Sequence, residues 1–504
     1  MPDSADTTDN YLTKKEKPLF TTAVRSTLFI LIAKVIRYGF VFLSQLILMN
    51  FLCPADFGLM RYVTIILGIV TLINEAGLGV ALVQKQYVDK NETASSFSLI
   101  IIISSSLYGI LFFAAPLLAS FFSNTRLIEL IRIGGLIAPL GGISIVHRSL
   151  MQRQFKYARL SLVETVSAVS GSLTGIIMGI IGFGVWSLVW SGLIYNFLSS
   201  LLSIILSERL KGNFFNVKSS IPLWIFGLGI VIQRIIDYGA SNVDFLIVGK
   251  YFGQISLGIY NLAFMVMSLP QFALGAILAN VAISTFSRFQ DDDKRLCGAF
   301  IRLTRITVAI SIPWFIIIFN LAPELMKAVA FINHSDKWIP AAPYIKILAP
   351  VGLIYCLNSY PGIVWIAKGK TKLRIIWAIF SLLTITAAVI AGSFFGVAGI
   401  CKALLIRAII LFPVSLIINY RTFGLFPSIY LKSILPPLCC GAFTFIIMYG
   451  LKITGLFSSE KYLYITMALE CFVCLAVYAT MIVIFSKNTY KDIKNIVTQI
   501  KLFV

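Results

Sequence analysis

About fourteen times along this chain an apolar run of roughly 20 residues or more recurs, from 27–50 to 462–485, and each run can cross about 30 Å of hydrocarbon as a helix. In hydrocarbon a backbone must satisfy its own polar groups, which only helices and closed barrels do. Runs this long therefore predict an all-α integral membrane protein. Composition agrees. Of 504 residues, 58% are hydrophobic and 12% charged, where soluble domains run about 45–50% and about 25%. The connections are short, and the longest outer one, roughly Leu321 to Ile339, is too small for a catalytic domain.

A net charge of +21 would suit a nucleic-acid binder, but the Lys and Arg sit mostly at the ends of apolar runs, where membrane topology places them. One set of loops carries Lys14, Lys15, Lys17, Arg25, Lys85, Lys90, Arg148, Arg153, Lys156 and Arg159. The same set continues through Arg209, Lys211, Lys218, Arg288, Lys294, Arg295, Lys368, Lys370, Lys372, Arg374, Arg421 and Lys432 to Lys487, Lys491, Lys494 and Lys501. The alternate loops carry Arg126, Lys250, Lys327, Lys337, Lys452 and Lys461. The positive-inside rule then puts both termini in the cytoplasm and makes the helix number even. The first 20 residues are polar, so no cleavable signal peptide is expected, only a cytoplasmic leader.

The chain repeats internally. An offset of 200 lays Tyr38-Gly39 on Tyr238-Gly239, Leu46-Ile47-Leu48 on Leu246-Ile247-Val248, Phe57-Gly58 on Leu257-Gly258 and Ala76 on Ala276. Later, Ile137-Ala138-Pro139-Leu140-Gly141 matches Leu348-Ala349-Pro350-Val351-Gly352, and Gly182-Phe183-Gly184-Val185 matches Phe394-Phe395-Gly396-Val397. Equivalents are six helices apart, so the halves share orientation, and parallel repeats of this kind build alternating-access transporters. The expected organisation is a tail (1–25), an N-lobe (26–206), a linker (207–221) and a C-lobe (222–420). A helix pair without a repeat partner (421–486) and a cytoplasmic tail (487–504) follow.

An ionised side chain near the bilayer centre costs about 2.5–3.5 kcal/mol on insertion scales, so such residues mark functional cavities. Lys34 and Arg37 share a face of the first helix, with no acid beside them there, and that arrangement wants an anion. Arg234, Asp237 and Asp244 share a face of the expected seventh helix (222–249), and the repeat makes Arg234 equivalent to Lys34 and Asp237 to Arg37. Tyr38, Ser44, Tyr238 and Ser241 extend these polar faces, and Glu75, Glu164, Lys402, Arg407 and Glu470 are further intramembrane charges. Asp237, Asp244 and Glu75 are candidates for proton or Na⁺ coupling. The plainer alternative is that some of these residues only pair to hold helices together, for example Arg234 with Asp237, and Glu164 and Glu470 more readily still.

Other motifs carry no chemistry. Gly369-Lys370-Thr371 resembles the end of a P-loop, but Val364 stands where its first glycine would be and no strand precedes it. His147 and His334 are too few for a histidine metal site, and Asp291-Asp292-Asp293 reads as a solvated loop. The cysteines Cys53, Cys297, Cys356, Cys401, Cys439, Cys440, Cys471 and Cys474 lie in or beside apolar segments and read as packing residues. No Ser-His-Asp or Cys-His set is apparent. Neither an enzyme nor a metal cofactor is expected.

The segment from Phe57-Gly58-Leu59 through Ala76-Gly77-Leu78-Gly79-Val80-Ala81-Leu82-Val83-Gln84 resembles WzxC-type polysaccharide flippases, as do Ile259-Tyr260-Asn261-Leu262-Ala263 and Trp338-Ile339-Pro340-Ala341-Ala342. These flippases form the polysaccharide-transporter branch of the multidrug/oligosaccharidyl-lipid/polysaccharide exporter superfamily. The resemblance spans nearly the whole chain. It implies a MATE/MurJ-like fold of two six-helix lobes plus two helices, and flipping of undecaprenyl-diphosphate-linked oligosaccharide across the inner membrane. An ion gradient or the membrane potential would drive it, with a polysaccharide polymerase and a chain-length regulator as partners. Lys34, Arg37, Arg234, Lys402 and Arg407 would then hold the diphosphate, as basic side chains hold phosphates. Two rivals remain. A polysaccharide polymerase or ligase would carry catalytic residues on large outer loops, and a drug exporter would favour an acid-lined lumen.

Overall fold

The computed structural model describes residues 33–34, 36–85, 88–210, 212–214, 221–333, 335–454 and 463–503. Among them there is no strand. The helices are α1 (Ile36–Leu48), then α2 (Pro54–Gln84), α3 (Lys90–Phe121), α4 (Leu127–Gly134), α5 (Ile137–Arg153), α6 (Tyr157–Ile181) and α7 (Trp186–Leu206). The second half runs α8 (Ile221–Ala240), α9 (Val243–Arg288), α10 (Asp293–Asn333), α11 (Ala341–Leu357), α12 (Pro361–Ala367), α13 (Thr371–Ser393) and α14 (Gly396–Phe423). Then come α15 (Pro427–Ile453), α16 (Leu463–Phe485) and α17 (Lys487–Phe503). Twelve stretches among the described residues are long and apolar enough to cross a membrane; α1 is shorter, and α8 is a further apolar helix. The expected leader 1–25 lies outside the described residues.

The outer surface is what hydrocarbon demands: Phe113, Leu117 and Phe472 are 80%, 73% and 71% exposed. With apolar solvent on that side, close packing of small residues must hold helices together. Gly171 and Gly175 sit one turn apart on α6, facing Ser191 of α7 so closely that a Cβ on Gly171 would lie 2.7 Å from the Ser191 carbonyl oxygen. The repeat read from sequence returns in the backbone. Gly184 (φ 56°) and Gly396 (φ 74°) take the left-handed conformation at the equivalent α6–α7 and α13–α14 junctions, where a side chain would be strained.

The first seven helices meet the next seven mainly through α2, which packs along α8 and α9. Helices α15 and α16 pack on α10 and on each other.

One expectation is corrected. The seventh helix is not continuous over 222–249: α8 stops at Ala240, and Ser241 and Asn242 turn the chain before α9. Local polar side chains make that break possible, since Ser241 Oγ donates to the Asp237 carbonyl (2.8 Å) and Asn242 Nδ2 to the Tyr238 carbonyl (2.8 Å). Asp244 therefore stands on α9, not on the face of Asp237. A second break follows at Gly253, φ 77°. The segment expected as a C-terminal tail is helical over Lys487–Phe503. In α17, Thr489 and Asp492 are buried, and Asp492 is paired with Arg302 (3.1 Å) and Arg305 of α10.

Candidate functional site

A cavity of about 1160 Å³ lies between the two halves. Its charged lining is Arg61 of α2, Asp237 of α8, Asp244 of α9, Arg374 of α13 and Arg407 of α14. Aromatic faces join them, including Trp365, Trp377, Phe272 and Phe412. Aromatic and apolar walls with a few convergent polar groups are the usual make-up of a ligand site.

Arg61 crosses from one half to the other. Its guanidinium donates to Asn242 Oδ1 (2.9 Å), lies 3.7 Å above the Phe245 ring, and keeps a buried Nε with no partner among the described residues. Asn242 is available because the α8–α9 break takes it out of the regular helix. Beside it Asp244 is 1% exposed; Tyr260 donates to its Oδ2 (2.6 Å), while Oδ1 has no partner among the described residues. Arg407 donates to Thr384 Oγ1 (3.2 Å) and to the carbonyl (3.1 Å) and hydroxyl (2.7 Å) of Ser381. Arg374 grips both oxygens of Asp237 (3.0 and 2.8 Å).

Beyond one end of the cavity the halves are sealed together. A Cβ on Gly58 would lie 1.8 Å from the Gln254 carbonyl oxygen, and a Cβ on Gly258 would lie 1.8 Å from that of Pro54. Both relations obey the offset of 200, so the seal sits on the pseudo-twofold axis of the repeat. Around it Tyr62 donates to the Gly249 carbonyl (2.8 Å), and Asn124 to Gln254 Oε1 (2.6 Å). Lys250 donates to the Phe121 carbonyl, and Trp338 Nε1 to that of Met49 (3.3 Å). Trp338 also meets the Phe57 ring edge-on at 5.3 Å. Arg61 is one turn from Gly58 along α2, so the cavity begins where the seal ends.

The sequence candidates fall into separate places. Asp237, Asp244 and Arg407 line the cavity, with Tyr238 and Ser241. Lys34, Arg37, Arg234 and Lys402 do not; Arg234 and Lys402 are exposed. Arg37 has an acid after all, from another helix. Glu164 of α6 pairs with it and with Arg148 of α5 (2.6 Å), and Tyr38 accepts from its other nitrogen (3.1 Å). Asp237 pairs with Arg374, not Arg234. The two halves thus carry the same cross-helix bridge with its charges exchanged: Arg37–Glu164 joins α1 to α6, and Asp237–Arg374 joins α8 to α13. Glu75 stands in α2, and its side chain lies outside the described residues. Ser44 is buried and gives its hydroxyl to the Val41 carbonyl (2.7 Å).

Two lining arginines escaped the sequence reading. Arg374 was counted as loop charge; Arg61 lies inside an apolar run, and that isolation was the signal available.

Comparison with known proteins agrees with this architecture. TuaB, a teichuronic acid biosynthesis protein of Bacillus subtilis, is 24% identical over 401 residues, covering 76% of this chain and 79% of that one. The lipopolysaccharide biosynthesis protein WzxC of Escherichia coli is 23% identical over 434 residues, covering 84% and 86%. The solved lipid II flippase MurJ, in an inward closed conformation, shares the fold with TM-score 0.69 at 16% identity, covering 93% of this chain and 99% of that one. A family model described as polysaccharide biosynthesis protein matches residues 47–343, more than half of the chain. The chain, with its two lobes around one cavity, belongs to the polysaccharide biosynthesis protein family.

Proposed function

We propose that this protein flips an undecaprenyl-diphosphate-linked oligosaccharide from the cytoplasmic to the periplasmic leaflet of the inner membrane, for surface polysaccharide synthesis, by alternating access of its two lobes. The observation that carries this reading is the inter-lobe cavity itself, with Arg61, Arg374 and Arg407 on its wall and a seal at one end. Arginine forks match phosphate oxygens, and Trp365 and Trp377 offer flat faces to sugar rings. By their names, WzxC serves lipopolysaccharide biosynthesis and MurJ flips lipid II. Of the intramembrane basic residues, Arg407 keeps its proposed diphosphate role, while Arg61 and Arg374 replace those outside the lining. Coupling to a proton or Na⁺ gradient falls to Asp244, whose Oδ1 has no partner among the described residues, because Asp237 is held by Arg374. The test is a strain lacking this protein. Lipid-linked oligosaccharide should accumulate in its inner leaflet, shielded from a membrane-impermeant glycosidase, with surface polysaccharide restored by the wild-type chain. Unchanged surface polysaccharide would exclude the role.

In this reading the chain crosses the bilayer fourteen times, α1 and α8 completing the twelve stretches, with both termini cytoplasmic. The sealed end, which carries Lys250 and Trp338, then faces the periplasm. A reporter fused after Ser486 should read cytoplasmic and one inserted at Ser335 periplasmic; the opposite pair would invert the transport direction.

A further inference from the structure

Three ionisable residues lie together outside the cavity, where the C-lobe meets the two helices that have no repeat partner: Glu324 of α10, Lys452 of α15 and Glu470 of α16. Lys452 Nζ stands 2.8 Å from Glu324 Oε1 and also donates to the Asn320 carbonyl. The second oxygen of Glu324 is buried and has no partner among the described residues. Glu470 is 4% exposed, and no hydrogen bond or ion pair among the described residues reaches it. The charges that act on it come from the helices packed against α16: Lys452 from α15 and Glu324 from α10. Lys327, one turn along α10, has an interaction of its own and is not among the charges acting on Glu470. Tyr464 gives its hydroxyl to the Ala328 carbonyl (3.3 Å), and Cys471 lies beside Glu470.

The group holds two carboxylates and one ammonium. Inside a membrane span an uncompensated carboxylate is costly, and the remedy is a second positive charge between the two acids. We propose that Glu324, Lys452 and Glu470 form a binding site for one monovalent cation, a proton or Na⁺, on the outer flank of the C-lobe. The orphaned Glu324 oxygen and the unbonded Glu470 carboxyl are its ligands, and Lys452 fixes Glu324 in place. Its position gives it leverage. Helix α10 is tied at one end to α17 through Arg305 and Asp492, and at the other to α15 through Glu324 and Lys452. Occupancy of this site sets whether α16 is held to α10 by a shared cation or pushed from it by like charge.

The site is tested without transport, so its failure and that of the flippase reading are separable. The purified full-length chain in nanodiscs is examined by infrared difference spectroscopy between alkaline and acidic buffer, and by retention of radioactive Na⁺. The expected result is either one protonated-carboxyl band, lost in Glu470→Gln and displaced in Glu324→Gln, or one retained Na⁺ per chain, lost in both. Glutamine keeps the shape of each side chain, and native α-helical circular dichroism in either variant suffices for the comparison. If both variants keep the wild-type band and the wild-type Na⁺ retention, the three residues are a plain helix clamp and the proposal is wrong.

Discussion

Gly58→Ala and Gly258→Ala each stop polysaccharide export while the protein stays inserted and abundant. Each new methyl would sit 1.8 Å from a carbonyl oxygen of the opposite half, far inside van der Waals contact, and backbone cannot rotate away as a side chain can. Overpacking of this kind costs about 1–3 kcal/mol or more. Charged to one state of a two-state transporter, that is a population shift of about 5- to 150-fold away from the sealed form. The contact exists only when the lobes close at this end, so folding of each lobe is spared. Two readings separate this from general damage. A cysteine placed at Thr64, on the cavity wall, should react with an impermeant maleimide added from the Lys250 side faster in either variant than in the wild type. Because Gly58 and Gly258 act on one shared seal, the double variant should be no worse than either single one. Full export with either alanine would show that the seal is not part of the cycle.

Removing the arginines of the lining has an effect of similar size, by loss of attraction. A hydrogen bond to a charged group contributes about 1.5–3 kcal/mol, or roughly one to two decades in affinity at 1.4 kcal/mol per decade. Arg407→Ala gives up such donors and leaves Ser381 and Thr384 as they are, so binding falls with little loss of stability. Arg61→Ala does more, since it also removes the bridge to Asn242 and the stacking on Phe245 that join the two halves. Arg61→Lys keeps the charge but not the planar fork, and should recover only part of the activity. Arg234→Gln, at an exposed position outside the lining, should transport as the wild type does.

The fold was legible because hydrocarbon leaves a chain few options. Apolar runs gave the helices, and the glycines of the repeat proved to be the residues that shape it, Gly184 and Gly396 at turns, Gly58 and Gly258 at the seal. The site was only half legible. Its charges were visible, but partners depend on which helix faces which, and no spacing along one helix reveals that Glu164 meets Arg37 or that Arg374 meets Asp237. The break at Ser241 and Asn242 was hidden by the apolar residues on both sides of it. Small polar residues that bond back to the previous turn mark such a break only weakly, because the same residues occur in unbroken helices.

The account stands most directly on one measurement: the leaflet position of a fluorescent undecaprenyl-diphosphate-linked oligosaccharide in proteoliposomes holding the purified protein, read by an impermeant quencher. It predicts that the wild type exposes inner-leaflet substrate to the quencher faster than protein-free vesicles do. It also predicts that Arg61→Ala and Arg407→Ala slow this at least tenfold, about 1.4 kcal/mol, and that Arg234→Gln does not. Substrate that stays where it was placed, or that moves equally fast without Arg61 and Arg407, would contradict a flippase working through this cavity.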